Sequence, residues 1–153
     1  PSAIDAIKKI NSGEQLGPMN VETLIPGDCR GLPLGGSLWK LCRLVEKSYC
    51  PDTAGKIIFI EASNVKPENV REKLQYLIDK KFFAKASGVV FGQFAQCKPK
   101  AQLQKILKEM APKFGVPVFN GYPFGHIPHS HNIDFLREVV IENGTVVFPA
   151  VKK

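Results

Sequence analysis

Long apolar runs, paired cysteines and tracts of one charge are all missing from this sequence, and histidine is scarce. No apolar run approaches the roughly 20 residues a membrane-spanning helix needs, so no membrane partner is expected. The four cysteines, Cys29, Cys42, Cys50 and Cys97, form no Cys-x-x-Cys pair and no spacing typical of metal ligands. That argues against zinc-finger and dithiol redox chemistry, and a domain of this size does not need disulfide staples. Reduced thiols in a cytoplasmic protein are the simpler reading. The opening "PSAIDAIKK" has no Met, basic patch and apolar stretch in the order of a signal peptide. A start at Pro1 reads instead as a trimmed fragment of a longer chain.

What is present is ordinary for a globular domain. With 153 residues, 44% of them hydrophobic and 23% charged, the chain is one domain and large enough to bury a core. Its formal net charge is +7, but the lysines lie scattered as pairs or singles, as in Lys8-Lys9, Lys80-Lys81 and Lys152-Lys153. They are not interleaved with aromatics, so a solvated basic surface is expected and no nucleic-acid partner.

Periodicity gives the elements. "SAIDAIKKINSG" reads as a helix capped by Ser2, with Asp5 completing a capping box and Gly13 stopping it. "VETLIPGDCRG" reads as extended, and "LPLGGSLWKLCRLV" as a glycine turn running into a helix with Leu38, Leu41, Cys42 and Val45 on one face. "GKIIFIEAS", "SGVVFGQF" and "VPVFNGYPFGH" read as buried strands. Between them lie two amphipathic helices: one opens at Pro67 and carries Val70, Leu74, Leu77 and Ile78, and the other is "KAQLQKILKEMAPKFG". "REVVIENGTVVFP" reads as a hairpin turning at Asn143-Gly144. The pattern is mixed α/β with a partly antiparallel component.

All three histidines, His126, His129 and His131, fall in "GYPFGHIPHSHN". A zinc site would need that loop to fold back so that three ligands converge, and no HExxH helix or cysteine pair supports one. His126 follows a strand and two glycines, where an imidazole can serve as a base near neutral pH. Glu61 ends another buried strand, where α/β proteins often place functional groups. Alone, Glu61 reads more simply as an acid capping a turn. Together, a carboxylate on one ring nitrogen would fix the tautomer and stabilise the imidazolium, which is two thirds of a hydrolytic triad. The nucleophile is not evident. Ser37 in "LGGSL" has Trp39 where a nucleophile elbow needs glycine and no convincing strand before it, so it reads as a helix N-cap. Cys97 follows a strand, with nothing to predict an activated thiol.

From about Gly27 to Phe148 the chain resembles the C-terminal domain of the LD-carboxypeptidase family. These are serine peptidases that include muramoyltetrapeptide carboxypeptidases and the microcin C immunity proteins. The resemblance rests on "GGSL", "SYCPDTAGKIIFIEAS", "VREKLQYL", "GVVFGQF" and "GVPVFNGYPFGH" in that order. Ser37 stands where the family usually has Asn, and "IDFLREV" replaces the usual stretch after the histidine.

The resemblance implies a swivelling β/β/α domain with a mixed sheet and flanking helices. It implies that Glu61 and His126 complete a Ser-His-Glu triad, with His129 and His131 as bystanders. The serine would come from a flavodoxin-like N-terminal domain, so residues 1–20 would be the connector or the end of that domain, and 21–153 the C-terminal domain. The implied activity is hydrolysis of an L,D-peptide bond, releasing terminal D-Ala from murein tetrapeptide in peptidoglycan recycling. The alternatives are cleavage of a peptide–nucleotide conjugate, as by an immunity-type peptidase, or a non-catalytic binding or dimerisation module. No cofactor and no metal are expected, and the expected assembly is a cytoplasmic homodimer. If the pair is real, Glu61 and His126 should lie within about 2.6 to 3.2 Å of each other.

Overall fold

Every residue from Ile57 to Ala62 is buried, which a strand achieves only when both of its faces are covered. The computed structural model describes residues 3–151, so the Ser2 cap lies outside the described residues. In chain order the elements are α1 (Ala3–Ser12), β1 (Leu16–Asn20), β2 (Glu22–Ile25), β3 (Cys29–Gly31), β4 (Pro33–Ser37) and α2 (Leu38–Glu46). There follow β5 (Ile57–Ser63), α3 (Pro67–Asp79), β6 (Gly88–Ala95), α4 (Lys100–Met110), a 3-10 turn (Ala111–Phe114), β7 (Val118–Asn120), β8 (Val139–Glu142) and β9 (Thr145–Phe148). Among the described residues no helix is long and apolar enough to cross a membrane.

The two faces of β5 explain the layers. Ile58 and Ile60 point into a core built with Leu38 and Leu41 of α2, Leu74 and Leu77 of α3, and Leu103 and Leu107 of α4. Ile57 and Phe59, one step out of phase, point the other way into a core with Val139, Ile141, Val146 and Phe148. Those last four belong to a second sheet, antiparallel, in the order β1-β9-β8-β3. The first sheet runs β2-β7-β6-β5-β4, parallel from β4 to β7 with β2 antiparallel on its edge. Sheet, sheet and helices make three layers, the β/β/α arrangement expected. Each fully buried Leu, Ile or Phe side chain contributes about 1.5 to 3 kcal/mol, so both cores are needed.

Most elements form where their sequence pattern placed them. α3 has Pro67 in its first turn and buries Val70, Leu74 and Leu77 at one-face spacing. The β8–β9 hairpin turns through Asn143 (φ 48°) and Gly144 (φ 71°), the left-handed pair that such a turn demands.

Four segments differ from the sequence reading. The supposed glycine turn before α2 is a strand, β4, paired in parallel with β5 from Pro33 to Ser37. Gly35 sits at φ 149°, and a Cβ there would fall 1.9 Å from the Phe59 carbonyl oxygen, so only glycine allows this approach. Tertiary pairing overrides the poor strand propensity of "LGG". The strand expected across "VPVFNGYPFGH" ends at Asn120, and Pro112 coincides with the tightening of α4 into its 3-10 turn. Leu16–Asn20, not read as an element, forms β1 against β9.

Arg137 fastens α1 to this body. Its guanidinium, 7% exposed, donates from Nη2 to Ile10 O at 3.0 Å and from Nη1 to Glu14 O, at and just beyond the carboxyl end of the helix. Asp134 Oδ2 lies 3.2 Å from Nε as an ion pair whose angle is too poor for a hydrogen bond. Losing two charged hydrogen bonds should cost roughly 3 to 6 kcal/mol. Arg137→Met is therefore expected to lower the urea midpoint and to remove amide-exchange protection from α1 first. Unchanged protection in α1 would show that the helix is held otherwise.

Candidate functional site

Parallel strands that share one direction bring their carboxyl ends to one edge of the sheet. Ser37 at the end of β4 is the register partner of Glu61 in β5, and β6 ends alongside them. Glu61 follows Ile60 on the pleat, so its side chain emerges on the face that carries Ile57 and Phe59. Its side chain is only 5% exposed. A carboxylate so withdrawn from water needs a hydrogen-bond donor.

His126 supplies the donor. Its Nδ1 lies 2.7 Å from Glu61 Oε2, inside the range expected, while the ring remains 67% exposed. Because a carboxylate only accepts, the contact requires the proton on Nδ1, and in a neutral ring with that tautomer Nε2 is the acceptor. The pair therefore has a buried end at Glu61 and an exposed end at the imidazole.

The turn before His126 is held from several sides. Tyr122 and Phe124 both pack edge-on against Phe59 of β5, with ring centroids 5.4 and 6.3 Å away. Gly121 N and Tyr122 N both donate to Phe91 O, and Gln93 N donates to Phe124 O at 2.7 Å. Gly125 (φ 131°) rides directly on the carboxylate residue: a Cβ there would stand 3.2 Å from Glu61 Cβ and 3.0 Å from Gln93 O. Beyond the histidine the loop folds back, with Gly125 N donating to Ser130 Oγ and His131 N to Pro123 O.

Of the residues singled out in the sequence, the structure brings together Glu61 and His126. The His131 ring instead packs edge-on to Tyr122, and His129 takes a left-handed turn conformation (φ 58°). Among the described residues no group of three or more His, Cys, Asp or Glu side chains is arranged to hold a metal. Ser37 occupies the N-cap position of α2 but makes no side-chain cap bond. One ground for setting it aside, the lack of a preceding strand, is corrected by β4; Trp39 still stands where an elbow requires glycine.

The four cysteines are unpaired. Burial pushes the Cys29 and Cys42 thiols up to about 11 and raises that of Cys97, so none of the three is poised as a thiolate. Burial likewise pushes the Tyr122 phenol up to about 12, which keeps it neutral. The residue that the sequence reading missed is Gln93. Its signal was a lone polar side chain after glycine in an otherwise apolar strand.

The LD-carboxypeptidase C-terminal domain family matches residues 30–140. Two curated relatives are each 28% identical. One is a Streptomyces coelicolor protein with a carboxypeptidase name, matched over 113 residues, 73% of this chain. The other, the "Probable murein peptide carboxypeptidase" of Bacillus subtilis, is matched over 118 residues, 74% of this chain. The aligned stretch spans 36% of each relative's own length.

Solved structures share the fold. Muramoyltetrapeptide carboxypeptidase from Oxalobacter formigenes aligns over 95% of this chain and 54% of its own, with a TM-score of 0.81 at 20% identity. An MccF-like protein from Streptococcus pneumoniae in complex with AMP aligns over 97% of this chain and 57% of its own, with a TM-score of 0.79 at 18% identity.

The tight seat of Gly125 makes a direct test. Gly125→Ala should strain the backbone and push the turn off Glu61, costing about 1 to 3 kcal/mol in urea unfolding. The strongly deshielded Nδ1 proton of His126 should disappear from the NMR spectrum. A variant with the parent's stability and the same proton resonance would mean that the turn does not depend on this contact.

Proposed function

The chain belongs to the LD-carboxypeptidase C-terminal domain family, and from that premise we propose that it is the acid–base half of a serine carboxypeptidase acting on an L,D-peptide bond. The observation that carries the reading is the 2.7 Å contact from His126 Nδ1 to Glu61 Oε2, made by a side chain that is otherwise 67% exposed. The substrate proposed is a murein tetrapeptide, and the product released is its terminal D-alanine.

The chemistry follows from the two ends of the pair. Glu61 holds the Nδ1–H tautomer, so Nε2 can accept the proton of a serine hydroxyl as that oxygen attacks the scissile carbonyl. The negative charge of Glu61 then stabilises the imidazolium. On collapse of the tetrahedral intermediate, Nε2–H protonates the leaving amine of D-alanine and leaves an acyl-serine. Water, deprotonated by the same Nε2, hydrolyses that ester and regenerates the serine. The buried thiols offer no substitute nucleophile, and the serine is assigned to a domain outside this sequence. That assignment fits a chain spanning 36% of its curated relatives' length.

Triad members act as a unit, so an acid–base pair without nucleophile and oxyanion donors gives little rate enhancement. The 153-residue chain should release no D-alanine from murein tetrapeptide, whereas a protein extended upstream by the serine domain should. In the extended protein His126→Ala is expected to lower kcat by about 1,000-fold or more, and Glu61→Gln by at least about 100-fold. Activity of the short chain that disappears with Ser37→Ala would instead place the nucleophile on β4. The same assay run on a peptide–nucleotide conjugate separates the competing substrate: nucleotide release without D-alanine release would replace the murein reading.

A further inference from the structure

Beside β5, β6 carries one residue too many. Ile60 pairs with Phe91 and Ala62 with Phe94, so two steps along β5 match three along β6. The extra residue makes a bulge at Gly92–Gln93, and Glu61 stands opposite it. Phe91 and Phe94 both reach the helix-side core despite their odd spacing, which regular alternation would forbid. In an unbroken strand Gln93 would share the face of Phe91 and bury an amide in that apolar core. The bulge turns it out of that core to meet the turn that carries the histidine.

There Gln93 Nε2 faces two carbonyls, Gly121 O at 3.3 Å and Tyr122 O at 3.4 Å, while its backbone N–H holds Phe124 O. Gly92 leaves room for the same turn: a Cβ there would lie 2.5 Å from Phe124 O. Gly125, which rests on Glu61, also abuts Gln93 O. The bulge thus touches the turn at residues 121, 122, 124 and 125, the segment immediately before His126.

We infer that the Gly92–Gln93 bulge positions the Glu61–His126 pair, and that the Gln93 side-chain amide is the positioning contact, fixing the turn so that Nδ1 meets Oε2. This rests on the reading of Glu61 and His126 as the acid–base pair. Gln93 is a positioning residue and touches no reacting atom. Its requirement is chemical: an N–H donor at that length, since two carbonyl oxygens are its partners. Arginine keeps donors there. Methionine keeps the length and removes them.

The test separates positioning from activity. Nitrogen-15 spectra of histidine-labelled 153-residue chain, recorded where the ring is neutral, report the His126 tautomer directly. In the parent and in Gln93→Arg, Nδ1 should be protonated and its proton deshielded. In Gln93→Met the ring should exchange between tautomers and that proton should broaden away, with β5 and β6 amides still protected from exchange. In the upstream-extended protein Gln93→Met should lower kcat about tenfold, leave KM unchanged and be restored by Gln93→Arg.

A Gln93→Met chain that keeps the parent tautomer, or an arginine variant that loses as much as methionine, overturns the inference. Global loss of amide protection in Gln93→Met would overturn it too, by making Gln93 a general stability residue. Should the extended parent prove inactive while the tautomer responds as described, the catalytic reading fails and the positioning stands.

Discussion

The structure depends on a single buried carboxylate finding its donor. Glu61 lies in a strand, β5, whose other residues from Ile57 to Ala62 are all buried and apolar, and its own exposure is 4%. Removing a charge from water is tolerable only where hydrogen bonding replaces the lost solvation. The partner found is His126 Nδ1, which belongs to a loop 65 residues further along. That requirement makes the loop's position part of the fold. The same bond leaves the imidazole largely exposed, so under the proposed function one contact meets both the demand of burial and the chemistry of a base.

Holding the loop against β5 so that the 2.7 Å contact forms is a packing problem, and it is met by contacts of different kinds. Edge-on aromatic contacts from Tyr122 and Phe124 anchor the turn to Phe59, while backbone hydrogen bonds tie it to Phe91 and Gln93. Missing side chains matter as much. β4 hugs β5 because Gly35 has no Cβ, and the turn settles on Glu61 because Gly125 has none. On the far side of the loop, Arg137 spans from the loop's end to the carbonyls at the close of α1. His126 is therefore set in a loop pinned at both ends.

Under the proposed function this arrangement is a half-site: the Glu61–His126 pair is held in this chain, and the serine is proposed to come from another domain. The chain's buried thiols, held up by desolvation, add no competing nucleophile of their own.

Much of this was legible in the residues themselves, for identifiable physical reasons. The strands β5 and β6 declare themselves because burial on both faces needs unbroken runs such as "IIFI" and "GVVF"; the helices show an apolar stripe, and the β8–β9 hairpin shows Asn143-Gly144. Glu61 and His126 stand out, and pair as carboxylate and imidazole, from their places after apolar strands, and the family resemblance adds the triad role; the structure sets Glu61 within β5 and His126 in the loop after β7. β4 was hidden because glycine disfavours strands, and only its close seat against Phe59 O makes it one. β1 was hidden because "LGPMN" acquires its meaning from β9 across the sheet. The bulge at Gly92–Gln93 was hidden most deeply, since a bulge is a mismatch between two strands and no single strand records it. Sequence sets what each segment can be; the count of residues between neighbouring strands, settled only when they pair, decides where a side chain such as Gln93 finally points.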